Sequence, residues 1–151
     1  MGDSAGGGLA LALAQSFRDE GHPQPARIVL ISPWLDVTMT EPRLEHQDAR
    51  DPYLGATGLA EAGRRYAGPL DESDPRVSPL NGSMEGLAPI AVFIGTRDVL
   101  LPDARRLRKA AAAADVPIDY HEHDGMIHNW PMRRLPEAHQ ALTQLTHFIN
   151  H

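Results

Sequence analysis

The 151-residue sequence contains no cysteine, which excludes disulfides, thiolate metal ligands and a cysteine nucleophile. That absence fits reducing and oxidising compartments alike. Basic charge is also scarce: Lys and Arg number 14 against 20 Asp and Glu, Lys109 is the single lysine, and the formal net charge is −6. Such a chain offers no basic field for phosphates, so no nucleic-acid partner is expected. Long apolar runs are missing as well. The longest, near Leu9 to Ala14, is far shorter than the ~20 residues that span a bilayer, so no membrane span is expected. The N-terminus lacks the charged and apolar regions of a signal peptide, and a cytoplasmic location is expected. Gly and Pro number 13 each, well below the roughly 25–30% share that marks low complexity. One globular domain without internal repeats fits this length and composition.

What is present begins at the first residues. Gly2, Ser4 and Gly6 fill the pattern G-x-S-x-G, the nucleophile elbow, in which a serine at a sharp strand-to-helix turn takes strained backbone angles and needs small neighbours on both sides. The following helix aims free N–H groups and its dipole at the reacting group. The N–H of Ala5 is then the natural first oxyanion donor. Gly6, Gly7 and Gly8 cost a helix about 1 kcal/mol each relative to Ala, so they should serve close approach to strands and substrate. Leu9, Leu13 and Phe17 recur at helical spacing and are expected to face the sheet, with Gly21 as the left-handed stop.

Two continuous apolar runs, Arg27 to Ile31 and Pro89 to Gly95, read as strands buried on both faces, which favours a parallel sheet. Between them, Val37 to Pro89 is loose in pattern, with one helix expected from Thr57 to Tyr66. A helix over 103–114 carries Arg105, Arg106, Arg108 and Lys109, read as a solvated face. Pro117 to Glu122 alternates as an edge strand does, Gly125 to Trp130 is a loop, and Pro136 to Ile149 a closing helix. This order suits an α/β fold of parallel strands with flanking helices and right-handed crossovers.

Asp98 follows the second strand and His128 the third, so both should reach the sheet end that carries Ser4, in the hydrolase order Ser, Asp, His. Asp36, beyond the first strand, is the competing acid, with Asp98 favoured. His121 and His123 share a strand face and with His128 could be read as metal ligands. No carboxylate completes such a set, and no metal or cofactor is expected. Trp34, Met126 and Trp130 lie beside these loops as candidate lining of a substrate pocket, or as satellite core.

The string GDSAGGGLA closely resembles the elbow of the hormone-sensitive-lipase-like esterases, a branch of the α/β-hydrolases. Ser32 to Asp36, Asp74-Pro75, Ser78 to Leu80 and Asp98-Val99-Leu100 are similar to the same family, whereas Asn129-Trp130 replaces its commoner Gly-Phe pair. The resemblance implies an α/β-hydrolase fold and a serine carboxylesterase acting on small uncharged esters of short to medium acyl length. In it Ser4, Asp98 and His128 form the triad and Ala5 is an oxyanion donor. It also implies a homodimer through the strand near 117–122 and the last helix. Because only Met1 and Gly2 precede Asp3, the central strand before the elbow and the oxyanion glycine motif are expected to be absent. Residues 1–151 then correspond to the C-terminal half of the catalytic domain. An amidase or lactonase on the same fold, or an inert fragment lacking the glycine loop, remains open.

Overall fold

The computed structural model describes residues 1–42 and 44–151. Four parallel strands, β1 (Gly2–Asp3), β2 (Ile28–Ile31), β3 (Ile90–Gly95) and β4 (Ile118–His123), form one sheet in that order. Among the described residues five α-helices accompany them: α1 (Ala5–Asp19), α2 (Leu44–Asp48), α3 (Ala56–Ala67), α4 (Leu101–Ala113) and α5 (Pro136–Asn150). The sequence leads one to expect no strand ahead of Ser4. Instead Gly2 and Asp3 pair with Leu30 and Ile31 as a two-residue strand.

β2 and β3 are apolar at every position because both faces of the sheet are covered. Ile28, Leu30, Ile90, Val92 and Ile94 share a core with Leu11 and Ala14 of α1 and Leu107 of α4. Val29, Ile31, Ala91 and Phe93 face a second core with Trp130 and with Ala138 and Ala141 of α5. Each large apolar side chain so buried contributes roughly 1.5–3 kcal/mol. Among the described residues no helix is long and apolar enough to cross a membrane.

Helix α1 buries a different face from the one its leucine spacing suggests. Gly7, Gly8, Leu11, Ala14 and Gln15 are buried, while Leu9 and Leu13 are 57% and 50% exposed. Glycine decides this. A Cβ on Gly8 would stand 2.2 Å from the Trp34 carbonyl oxygen and one on Gly7 2.8 Å from the Pro33 side chain, so this face is pressed onto the loop after β2. The closest approach is to that loop, and Gly7 also comes close to a strand, since a Cβ there would stand 3.3 Å from the Gly2 carbonyl oxygen of β1. Leu9 and Leu13 instead line an apolar cleft of about 260 Å³ with Met1, Ala10, Phe17 and Ile28. The helix ends as expected: Gly21 has φ 72°, and the His22 N–H reaches back to the Phe17 carbonyl at 2.7 Å.

The basic run on α4 is only in part a solvated face. Arg105 pairs with Glu122, and the Arg108 guanidinium lies 5.1 Å over the Tyr120 ring. Arg106 turns inward, its Nη1 2.9 Å from both Asp36 and Asp103. One guanidinium shared by two carboxylates compensates neither fully. Burial pushes Asp103 up to about 6 against the pull of Arg106, and the Asp36 charge adds to the rise.

Candidate active site

Ser4 sits between β1 and α1 with φ 51° and ψ −122°, an angle pair that L-residues adopt only where the surroundings enforce it. The enforcing contacts are all backbone. Its N–H donates to the Ile31 carbonyl at 2.9 Å, and its own carbonyl accepts from the N–H groups of Gly7 (3.0 Å) and Trp34 (2.9 Å). A Cβ on Gly2 would meet the Gly6 carbonyl at 2.0 Å, so the first glycine of the elbow is sterically required. A Cβ on Gly6 would meet nothing within 4 Å, so the second is not required on this ground. Ala5 is the first helical residue, and its N–H therefore has no intrahelical acceptor.

Asp98 follows β3 and is fully buried. Its Oδ2 lies 3.0 Å from His128 Nδ1, and its Oδ1 accepts from the Leu100 N–H at 3.0 Å. His128 Nε2 lies 3.0 Å from Ser4 Oγ. Because the carboxylate can only accept, the imidazole proton belongs on Nδ1, which leaves Nε2 as the acceptor for the serine hydroxyl. Asp36 is occupied elsewhere, with Arg106 and with the Thr38 N–H and hydroxyl. The three side chains named in the sequence as a triad are thus brought together, and the competing acid is not among them.

Three residues of the loose segment hold this arrangement and carry no sequence signal of their own. Gln47 Nε2 donates to the carbonyls of Thr96 (2.8 Å) and Asp98 (2.9 Å), and the Asp51 carboxylate accepts from the Val99 N–H at 2.8 Å. Tyr53 stacks on the His128 ring at 6.2 Å between centroids and 17° between planes, and the Arg133 guanidinium lies 4.9 Å over the Tyr53 ring. Asn129, the residue after His128, has φ 52°. Its N–H donates to Ser32 Oγ, and its Nδ2 to Asp3 Oδ2, each at 3.0 Å.

The expected pocket residues separate. Trp130 is fully buried in the second core, with its ring tilted against His123 at 4.4 Å, so it is a core residue and not pocket lining. A short helical turn, Trp130–Met132, directs it there. Trp34 is also mostly buried, but it borders a small cleft beside Ala5 and Leu9. Met126 is half-buried against the second core. His121 and His123 are half-buried rather than free on the surface. His121 stacks on Phe93 at 4.6 Å, and burial lowers the His123 pKa, with the His121 charge adding to the effect.

A family profile described as the alpha/beta hydrolase fold matches residues 1–132. An acetyl-hydrolase of Streptomyces hygroscopicus is 38% identical over 143 residues, which cover 93% of this chain and 48% of that protein. An esterase of Acinetobacter venetianus is 36% identical over 150 residues, 97% of this chain and 50% of the relative. Among solved structures, an esterase from the bacterial hormone-sensitive lipase family is similar at TM-score 0.93 and 36% identity, covering 97% of this chain and 50% of that one. The chain spans about half the length of the curated relatives it matches.

Proposed function

Because this chain belongs to the alpha/beta hydrolase fold family, we propose that it is the triad-bearing part of a serine carboxylesterase. Ser4 is the nucleophile, His128 the general base and Asp98 the acid that orients it. The observation that carries this reading is the relay of two 3.0 Å contacts, Asp98 to His128 and His128 to Ser4, starting at a serine with φ 51°. In acylation the Ser4 hydroxyl attacks the ester carbonyl while Nε2 takes its proton, and Asp98 stabilises the imidazolium through Nδ1. The imidazolium returns that proton to the departing alkoxide, which leaves as the alcohol. Water, deprotonated by the same nitrogen, then attacks the acyl carbon, and the acid leaves as its bond to Ser4 Oγ breaks and Oγ takes back the proton from Nε2.

The Ala5 N–H supports the oxyanion from the start of α1, as its helical position favours. We place the remaining donors in a glycine-rich loop outside these residues, and with them the other part of the catalytic domain. Relatives named esterase and acetyl-hydrolase support a carboxylic ester as substrate. Trp34 and Met126 are the candidate walls of its pocket. In the protein that carries this chain, a fluorophosphonate probe should label Ser4. A mass-spectrometric adduct elsewhere, or labelling that persists in Ser4→Ala, would overturn the assignment.

The edge position of β4 in the sheet of the described residues supports a homodimer through this strand, with the last helix as the second contributor. Light scattering that shows only monomer at high protein concentration would refute it.

A further inference from the structure

We propose that Asp3 and Asn129 form a latch that sets His128 against Ser4, which makes both of them positioning residues. The inference rests on the serine-hydrolase reading above. Asp3 immediately precedes the nucleophile and Asn129 immediately follows the base. Their side chains meet at 3.0 Å across 126 positions, while the Ser4 to His128 contact, also 3.0 Å, spans 124. The two contacts are adjacent rungs between the same two loops. One carries the proton and the other fixes the distance over which it moves.

Three features make the second rung a device rather than an incidental contact. First, Asn129 stands at φ 52°, a left-handed conformation that Asn and Gly tolerate and bulkier residues avoid. Glycine would serve the backbone there equally well but could not reach Asp3. Second, the acceptor is a carboxylate, so the bond is charge-assisted and stronger than one between neutral groups. Third, the Asn129 N–H is held by Ser32 Oγ at 3.0 Å, and Ser32 is buried with φ 44°, its own N–H bonded to the Phe93 carbonyl at 2.8 Å. Asn129 Oδ1 is buried without a hydrogen-bond partner in the structure. The side-chain amide is therefore oriented through its Nδ2 donor alone, to Asp3, while the backbone N–H is held separately by Ser32. With backbone and side chain each tied down, the imidazole one residue earlier loses most of its freedom to swing away from Ser4.

The decisive variants are Asn129→Gly, which keeps the backbone conformation and deletes the rung, and the exchange pair Asp3→Asn with Asn129→Asp. In the protein that carries this chain, assayed with a short-chain nitrophenyl ester, Asn129→Gly should lower kcat about tenfold. That lies within the roughly 10² that a misplacement of about 1 Å can cost. KM should stay within about twofold, because the rung acts on the base and not on bound ester. Asn129→Asp alone should lose more, since two carboxylates would face each other, and adding Asp3→Asn should recover most of that loss by restoring a carboxylate opposite an amide. A purely structural contact would move the melting temperature without this kcat-specific loss and its recovery on exchange. The latch is refuted if Asn129→Gly keeps kcat within twofold, or if the exchange pair is no better than Asn129→Asp. Should Asn129→Asp fail to fold, the glycine variant decides. Ser4→Ala separates the two readings: loss of its turnover leaves the serine assignment standing whatever the latch variants do, and retained turnover overturns both.

Discussion

Replacing Asp98 by Asn tests the proposed triad at the point where the structure leaves least freedom. Asp98 is fully buried, with one oxygen 3.0 Å from His128 Nδ1 and the other accepting the Leu100 N–H at 3.0 Å. An amide in the same place has one acceptor and one donor end, and the Leu100 N–H is a fixed donor. Turning the donor end toward Leu100 would set two donors against each other in the interior, at a cost of about 1–3 kcal/mol for the unmet bond. The amide oxygen therefore stays on Leu100 and the NH₂ faces Nδ1. That forces the imidazole proton onto Nε2, which then points a donor at the Ser4 hydroxyl and cannot take its proton. The same change of tautomer in the serine-protease triad costs on the order of 10⁴ in kcat, and a loss of that size is expected here with the fold retained. The assay is kcat on a short-chain nitrophenyl ester for Asp98→Asn beside Asp36→Asn, with a thermal melt of each. Asp36→Asn should hold kcat within a few-fold while lowering the melting temperature, because it takes one of the two carboxylates from Arg106. A large kcat loss in Asp36→Asn and none in Asp98→Asn would show the acid to be misassigned.

Tyr53→Ala should lower kcat by about 2- to 10-fold and Tyr53→Phe should not, since a stacked aromatic pair of the kind seen with His128 is worth roughly 0.5–1.5 kcal/mol. Equal losses in both variants would point to the hydroxyl instead. Asp103 predicts a pH dependence of stability: with a folded pKa of about 6 and an ordinary value of 3.8, the folded chain holds a proton between these values that the unfolded chain has released. Stability from this group therefore falls as pH rises from about 4 to 6, by about 3 kcal/mol in full. Urea melts at pH 4 and pH 7 should show Asp103→Asn gaining on the parent at the higher pH, and a difference that does not change with pH would refute the shift.

The parts of this protein legible in its sequence are those whose cause is local. Runs such as Ile28 to Ile31 and Ile90 to Gly95 admit little but a strand covered on both faces, and the Gly2 to Gly6 spacing encodes a turn too crowded for a side chain at Gly2. The buried face of α1 was less legible. Leucine spacing favours Leu9 and Leu13, yet the helix lies on Gly7 and Gly8, because the smallest residues permit the closest backbone approach and only the neighbouring loop reveals which face that is. Trp130 misleads for a similar reason: it belongs to a loop by pattern, and only the turn it enters carries its ring under the sheet. Gln47, Asp51 and Tyr53 lie in a stretch without periodicity, and the contacts by which they hold the site reach 48 or more positions away, so no local signal could single them out. Asn129 was visible only as a departure from a familiar pair, and its purpose emerges from Asp3 and Ser32.

The route of the histidine loop follows from the layout of the sheet. Parallel strands place their C-terminal ends on one side, so Ser4 after β1, Asp98 after β3 and His128 after β4 share a rim. Yet β4 lies three strand spacings from β1, about 14 Å at ~4.8 Å each. The residues from Asp124 to His128 do not run straight across: a turn at 124–125 is closed by the Met126 N–H on the His123 carbonyl at 3.4 Å, and the side chains of His128 and Asn129 supply the last of the reach to Ser4 and Asp3. The contacts mark the route. Met126 passes over the end of β3, where a Cβ on Gly95 would stand 2.1 Å from its carbonyl oxygen, which explains a glycine at that strand end. Asn129 then rests on Ser32 at the end of β2 and on Asp3 of β1. The strand that contributes none of Ser4, Asp98 and His128 serves two of them: the Ile31 carbonyl and Trp34 N–H hold the Ser4 backbone in its strained turn, and Ser32 holds the loop that carries His128. Ser4 and His128, 124 positions apart, thus meet at 3.0 Å because both are fastened to the same end of β2.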